Sequence, residues 1–181
     1  VHKIEDDRYT KVISHSKSRF SSSLQPNEIL SLEFHPSGRL LAYSRMDGSL
    51  TIWEVPSNGI LHTNSSNKIF VSNVIGAEKL VTDISWNPQE TSQIATASNT
   101  NEIIIWSLIG SKSRESELSK VKTINVESHK TKINKCYYSS RGEWLLATTK
   151  SENLYLFSTK DNFSLKYIIN LSPYLLNGDI A

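Results

Sequence analysis

Short runs of alternating apolar and polar residues, separated by turns rich in Gly, Asn, Ser and Asp, recur along the chain. Three stretches align with one another, at 29–38, 81–88 and 133–142, and a large aromatic residue lies near the end of each. Alternation with a period of two is the pattern of a β-strand that buries one face, and it does not fit a helix. The chain is therefore predicted to be built from a β unit that repeats about every 52 residues.

Each copy of the unit contains four predicted strands. The second strand is rich in small residues, the third ends on another aromatic residue, and polar turns separate the strands, which is typical of an antiparallel meander. No helix longer than about two turns is predicted. The stretches at 54–67 and 107–120 are expected to be loops around the last strand of their copies. The predicted strands are 29–35, 40–45, 50–54, 67–72, 81–86, 93–98, 103–107, 121–126, 132–138, 144–149, 153–158 and 165–170.

The order of motifs, aromatic-x-Pro, then Gly-x-x-Leu-Ala, then Asp-Gly-x-Leu-x-Ile-Trp, resembles the WD-repeat of β-propellers. The resemblance implies an all-β propeller with about three four-stranded blades plus the start of a fourth, part of a seven-bladed ring. Three blades cannot close a ring, so the chain is expected to be a fragment. Residues 1–27 are expected to form an N-terminal extension able to supply a ring-closing outer strand, and 28–181 a partial propeller with blades at about 28–72, 80–126 and 131–170.

Members of that family carry a polar tetrad of His, Ser or Thr, Asp and Trp in each blade. No copy here has all four: the copies retain Asp47 with Trp53, Trp106 with Thr100 in place of Asp, and His129 with Phe157 in place of Trp. The resemblance therefore supports the fold, and the tetrad is not expected to mark site residues.

Longer stretches resemble the fungal WD-repeat subunits of the THO complex. The stretches are 27–35, 42–53, 83–88 and 147–157, within a resemblance from Ile4 to Ile169. The THO complex joins the TREX assembly, which couples transcription to mRNA packaging and nuclear export. The resemblance implies a non-catalytic scaffold in the nucleus whose partners are other subunits of a large complex. The alternative is a scaffold or peptide-binding subunit of another nuclear complex, such as a histone-modifying assembly.

Composition limits the other classes of function. Lys and Arg number 20 and Asp and Glu 18, so the formal net charge of +2 gives no general argument for nucleic-acid binding. Apolar runs are far shorter than the roughly 18 residues of a membrane span, and the first residues lack the apolar core of a signal peptide. One cysteine excludes an internal disulfide, and the chain is interpreted as intracellular.

Little in the sequence indicates chemistry. No two histidines have metal-ligand spacing, no Gly-x-Ser-x-Gly motif occurs, and Gly110–Ser113 lacks the first Gly of a phosphate-binding loop. Neither an enzyme nor a cofactor is expected, and no small-molecule substrate or membrane contact is indicated. Two basic segments, 11–19 and 120–135, fit contact with RNA phosphates or an acidic partner, but a solvated loop is favoured for both, and any contact with RNA is expected to be indirect.

Several side chains are predicted to lie in the core. In the first strand Leu30, Leu32 and Phe34 are expected to pack against the neighbouring blade, while Ser31 and Glu33 face away. The same register predicts a buried structural thiol at Cys136, without redox reactivity. Core packing is also favoured over a ligand cage for the tryptophans, which are Trp53, Trp86, Trp106 and Trp144.

The turns between second and third strands, and those before the first strands, are predicted to emerge together on one rim. Arg45 and Met46 lead this candidate surface because Arg and Met are enriched at interface cores. The alternative is a turn in which Asp47 and Gly48 satisfy only their own backbone. The candidate partner-binding residues are Arg45, Met46, Asp47, Glu78, Lys79, Asn99, Asn101, His129, Lys130, Lys150 and Glu152.

Overall fold

The computed structural model describes residues 28–55, 68–73, 80–109, 117–126, 132–150 and 153–171, and for 68–73 it describes the backbone alone. These residues form three separate four-stranded antiparallel sheets. Within those ranges no helix is long and apolar enough to cross a lipid bilayer. The all-β prediction is confirmed.

Each sheet is a meander in which consecutive strands are hydrogen-bonded neighbours. Blade 1 contains β1 Ile29–Phe34, β2 Leu40–Arg45, β3 Ser49–Glu54 and β4 Lys68–Asn73. Blade 2 contains β5 Val81–Trp86, β6 Gln93–Ser98, β7 Glu102–Ile109 and β8 Glu117–Asn125. Blade 3 contains β9 Ile133–Tyr138, β10 Trp144–Thr149, β11 Asn153–Ser158 and β12 Ser164–Asn170.

The predicted strands agree with these bounds to within one residue except in blade 2, where β7 and β8 are longer than expected. Leu108 pairs with Leu118 and Ile109 with Glu117, so both ends of the stretch interpreted as a loop at 107–120 are strand. The physical reason is burial: Leu118 is 9% exposed, and both leucines belong to the packing between blades 1 and 2. Residues 56–67 of the other expected loop lie outside the described ranges.

Two apolar cores join the blades. Between blades 1 and 2, Ala42, Leu50 and Ile52 pack against the face of blade 2 that carries Trp86 and Trp106. Between blades 2 and 3, the other face of blade 2 packs against the face of blade 3 that carries Cys136, Tyr138 and Phe157. Cys136 is 1% exposed, as predicted. Blade 2 is thus covered on both faces, and most of the buried apolar surface lies between sheets.

The prediction for the faces of β1 was wrong. Ser31 and Glu33 point at blade 2, where both make hydrogen bonds, whereas Leu32 and Phe34 lie on the opposite face and are 59% and 57% exposed. The equivalent Trp86 and Tyr138 are buried because a described blade precedes each of them. The alternation along the strand was predicted correctly, and its direction relative to the neighbouring blade was not.

The first strands β1, β5 and β9 lie side by side and run in the same direction. Side-chain hydrogen bonds join each of these strands to the next: the Ser31 hydroxyl donates to Asp83, and Asp83 accepts the backbone N–H of Cys136. Equivalent turns therefore lie on the same edge of the three blades. We call the edge with turns 46–48 and 99–101 and with Lys150 the second-turn rim, and the edge with turns 35–39, 87–92 and 139–143 the first-turn rim.

Candidate partner-binding surfaces

The turns of the second-turn rim are tied to the residues that precede the first strands. The backbone N–H of Met46 donates to Glu28 O at 2.9 Å, that of Asn99 to Leu80 O at 3.1 Å, and that of Lys150 to Lys132 O at 3.2 Å. This bond recurs in each blade and holds the end of the second strand next to the residue just before the first strand. Five predicted rim residues lie outside the described ranges: Glu78, Lys79, His129, Lys130 and Glu152.

Arg45 does not lie on the exposed part of this rim. Its side chain is 5% exposed, its guanidinium carbon lies 5.3 Å from the centre of the Tyr43 ring, and Nη2 lies 3.4 Å from the Tyr43 hydroxyl. Met46 beside it is 42% exposed. A charge reversal at Arg45 would therefore act through folding, because it would bury an acid beside the Tyr43 ring.

The two asparagines of the rim make structural hydrogen bonds. Asn99 Oδ1 accepts the backbone N–H of Leu80 at 3.1 Å, and Asn101 Nδ2 donates to Val126 O at 3.4 Å. Asp47 Oδ1 accepts the N–H of Ser49 at 2.9 Å, which closes its own turn, yet the residue remains exposed. The predicted members that remain exposed in the described part of the rim are Met46, Asp47 and Lys150.

Blade 2 retains one bond of the polar tetrad that the sequence did not reveal. Trp106 Nε1 donates to Thr96 Oγ1 at 2.9 Å, and both residues are buried. The strand pairings place Tyr43 at the equivalent position of blade 1, and there Trp53 Nε1 has no hydrogen-bond partner among the described residues. The signal in the sequence was a Thr two residues after Ile94, on the strand that precedes the Trp strand.

A series of side-chain acceptors joins each first strand to the next. Glu33 Oε2 accepts the backbone N–H of Trp86 at 2.8 Å, and Ser85 Oγ accepts that of Tyr138 at 3.1 Å. Glu33 and Ser85 occupy equivalent positions in their blades, as do Trp86 and Tyr138. Without these side chains, the N–H groups of Trp86 and Tyr138 would have no hydrogen-bond partner. Glu33 and Ser85 therefore complete the backbone hydrogen bonding between blades.

Asp83 connects all three blades. Its Oδ1 accepts the Ser31 hydroxyl of blade 1 at 2.7 Å, and its Oδ2 accepts the Cys136 N–H of blade 3 at 3.1 Å. Lys135 Nζ lies 3.4 Å from Oδ1 and supplies the counter-charge. With Asp83 7% exposed, these donors compensate the burial of its charge.

The environment of Glu33 favours its neutral form. Burial raises the pKa of Glu33 from 4.5 to about 7, the Trp86 N–H acts in the opposite direction, and the Asp83 charge adds to the increase. Next to it, His35 lies edge-on to Trp86 with ring centres 4.9 Å apart, and its Nε2 lies 2.7 Å from Thr91 O. Because His35 Nδ1 accepts the Ser37 N–H, Nε2 carries the proton and donates to blade 2.

Two cavities lie on the first-turn rim, which the sequence did not indicate as a binding surface. One cavity of about 370 Å³ lies between the turns of blades 2 and 3, and a second of about 370 Å³ lies beside it. Gly142 forms the contact between the two turns: a Cβ there would lie 2.6 Å from Asn87 Oδ1 and 2.9 Å from Gln89 Cβ. Only glycine allows the turns to approach this closely.

No group of three or more His, Cys, Asp or Glu side chains is placed to hold a metal ion within the described ranges. The buried side chains of Asp83 and Ser85 accept hydrogen bonds that join blade 2 to blade 3. The arrangement provides a stiff set of sheets with two rims, and such a scaffold presents loops for contacts with other molecules.

Comparison with known proteins agrees with this architecture. The model of the family "WD domain, G-beta repeat" matches residues 16–54. Protein TEX1 of Saccharomyces cerevisiae (strain ATCC 204508 / S288c) is 47% identical over 170 residues, which cover 93% of this chain and 39% of that protein. The chain thus spans about two fifths of the length of this curated relative.

Solved β-propellers have the same fold. The β-propeller domain of Cps50 (Swd1) from Myceliophteria thermophila superposes with a TM-score of 0.62 and 14% identity, over 80% of this chain and 44% of that one. The structure titled U3-55K superposes with a TM-score of 0.60 and 15% identity, over 81% of this chain and 40% of that one. At such identities the likeness concerns the fold alone.

Proposed function

Because this chain belongs to the WD-repeat family of β-propellers, we propose that it is part of a non-catalytic scaffold subunit of the THO/TREX complex. In this role it couples transcription to mRNA packaging and nuclear export through protein–protein contacts in the nucleus. The observation that carries the proposal is the 47% identity to a fungal protein over 93% of the chain, which supports the resemblance found in the sequence.

The geometry supports a scaffold in preference to an enzyme. Blade 2 is packed on both faces, and Asp83 links three first strands, so the rims are held in fixed positions relative to one another. A large subunit is proposed to bind the second-turn rim through Met46, Asp47 and Lys150. Any contact with RNA is proposed to be indirect, through the assembly.

The test is affinity purification with mass spectrometry, using the whole polypeptide that contains this chain. The variant Met46→Asp with Lys150→Glu changes two exposed rim residues without touching Arg45. We expect recovery of the large subunit to fall at least fivefold, with an unchanged melting temperature. The matched control is Val121→Asp with Lys120→Glu, which makes the same changes on the exposed face of β8.

Wild-type recovery of the subunits by the rim variant would place the interface elsewhere. Co-purification of a histone-modifying assembly in place of THO subunits would favour the other kind of nuclear scaffold.

A further inference from the structure

The first-turn rim contains a groove that the proposed scaffold role does not use. The two cavities are adjacent and share Gln89 in their linings, and we call them the two halves of the groove. We propose that this groove binds an extended peptide segment of a partner protein. The site lies on the opposite edge of the blades from Met46 and Lys150, and therefore constitutes a second contact surface.

The first half of the groove has an aromatic wall held in an unfavourable backbone conformation. Asn162 and Phe163 have φ values of 48° and 56°, a left-handed region that costs a residue with a side chain about 1–2 kcal/mol. The turn is secured by the Ser164 N–H on Asp161 O at 2.9 Å and by Lys122, which donates to Asn162 O. One part of the Phe163 side chain packs on the core between blades 2 and 3, while the residue also lines the cavity.

Most polar groups around the groove already have partners in the structure. Asn87 Oδ1 accepts the N–H groups of Gln89 and Glu90, Thr159 donates to Gly142 O, and Lys160 pairs with Glu143. These bonds fix the walls. The side chains of Gln89 and Glu90 are exposed and make no hydrogen bond or ion pair with any other described residue.

These two side chains suit a peptide. The Gln89 carboxamide offers both a donor and an acceptor, which complement the C=O and N–H of an extended main chain. Glu90 in the first half suits a basic side chain. Arg141 in the second half is exposed, and although its charge also acts on the neighbouring Glu143, its guanidinium suits an acidic side chain. The groove therefore favours a segment whose main chain is held by Gln89. A basic residue of this segment would meet Glu90, and an acidic residue would meet Arg141.

Size and charge disfavour other occupants. A volume of about 370 Å³ lies near the lower limit for ligand sites, enough for one or two side chains in each half and too small for a helix about 10 Å wide. Lys160 and Arg141 balance the carboxylates of Glu90 and Glu143 on the walls, so the groove has no net positive charge that would attract the phosphates of RNA. Phe163 is half-buried against the core, which leaves little of its ring for base stacking.

The first experiment places a photo-crosslinking amino acid at position 89 of the whole polypeptide in its native cells. Arg39 on the same rim of blade 1 is the control position. The proposal predicts that one protein segment, containing a basic and an acidic residue, is captured repeatedly from position 89 and not from position 39. Crosslinks to RNA, to many unrelated segments, or to nothing would overturn the proposal.

The second experiment measures binding of that segment as a labelled synthetic peptide by fluorescence anisotropy. Glu90→Lys is expected to weaken binding at least tenfold, and exchange of the peptide's basic residue for Glu is expected to restore most of it. Met46→Asp with Lys150→Glu should leave peptide affinity unchanged, so failure of this site and failure of the second-turn rim are distinguishable. Equal affinity of the wild-type protein and Glu90→Lys would contradict the assigned groove.

Discussion

At the scale of single residues, the bond between Trp106 and Thr96 gives a direct test of buried polar pairing. Thr96→Val keeps the shape of the side chain but leaves Trp106 Nε1 without an acceptor in a buried position, which costs about 1–3 kcal/mol. In a double-mutant cycle with Trp106→Phe, we expect a coupling of about 1 kcal/mol, read from urea unfolding.

Blade 1 offers the matched control for this cycle. Tyr43 replaces Thr at the equivalent position, and Trp53 Nε1 has no partner in the described part of the chain. A cycle of Tyr43→Phe with Trp53→Phe should therefore give a coupling close to zero. Equal coupling in the two blades would show that packing, and not the hydrogen bond, dominates the measurement.

Glu33 makes the stability of the contact between blades 1 and 2 depend on pH. Its pKa is about 7 in the folded state against 4.5 for the free group, so the folded chain binds the proton more tightly than the unfolded chain. The resulting stability is fully present below pH 4.5 and is lost as the pH rises through 7. Because the carboxyl is partly exposed, solvent screening limits the effect to on the order of 1 kcal/mol.

Glu33→Gln tests this dependence. The amide oxygen can still accept the Trp86 N–H, while the group remains neutral at every pH. Denaturant unfolding at pH 5 and pH 8 should show that the variant gains stability relative to wild type as the pH rises. The exposed Glu54→Gln is the control. A stability difference that is the same at both values of pH would contradict the assignment of Glu33 as the titrating group.

At the scale of elements, the strands could be predicted from sequence because alternation and turn residues are local signals. The bounds of β2, β5, β6, β10 and β11 agree with the prediction residue for residue. The faces of β1 could not be assigned in the same way, since alternation does not say which of the two faces of a strand meets the neighbouring blade. The extension of β7 and β8 was missed because it depends on contacts of Leu108 and Leu118 with the core between blades 1 and 2.

The candidate site was predictable only in part, for a related reason. The second-turn rim follows from the repeat, but the burial of Arg45 depends on the Tyr43 ring beneath it. The groove on the first-turn rim is lined by the turns at 87–92 and 139–143 and by Thr159, Lys160 and Phe163 of a third turn, and no motif in any of these turns indicates the others. Sequence reasoning therefore located the scaffold better than its surfaces.

Alanine substitutions at two equivalent glycines distinguish the cost of backbone strain from the cost of disturbed packing between blades. Gly38 and Gly142 have φ values of 70° and 66°, so an alanine at either position adopts a strained conformation at a cost of about 1 kcal/mol. A Cβ at Gly38 meets nothing within 4 Å, whereas one at Gly142 collides with the turn of blade 2. Thermal unfolding should show Gly142→Ala less stable than Gly38→Ala by about 1–3 kcal/mol.

If Gly142 forms the contact between the two turns, Gly142→Ala must be less stable than Gly38→Ala. Equal losses of stability in the two alanine variants would mean that the turns of blades 2 and 3 can separate without cost. In that event the groove described between them would not have fixed walls.

At the scale of the whole molecule, loss of the Asp83 side chain should weaken the contacts of blade 2 with both blade 1 and blade 3. Asp83→Ala removes the acceptor of both the Ser31 hydroxyl and the Cys136 N–H, at a cost of about 2–4 kcal/mol. Asp83→Asn keeps an acceptor oxygen and should cost less. Cys136 reports the opening because its thiol is 1% exposed, and burial raises its pKa well above the ordinary value.

The measurement is the rate at which a maleimide modifies Cys136, read by mass spectrometry of the peptide that contains it. Asp83→Ala should accelerate modification at least tenfold, and Asp83→Asn should lie between that variant and wild type. Unchanged labelling in Asp83→Ala would show that the apolar core alone holds blades 2 and 3 together.

The side-chain acceptors between first strands are also synthesised before the donors that they bind. Glu33 and Ser85 each precede the N–H group that they accept by 53 residues, so on the ribosome every acceptor is made before its donor. At about 5–20 residues per second, the wait is roughly 3–10 s for each blade. During that interval blade 2 is not yet complete, so it does not cover Ala42, Leu50 and Ile52. A nascent chain of this design exposes one apolar sheet face at a time for several seconds, long enough for a chaperone at the tunnel exit to bind it.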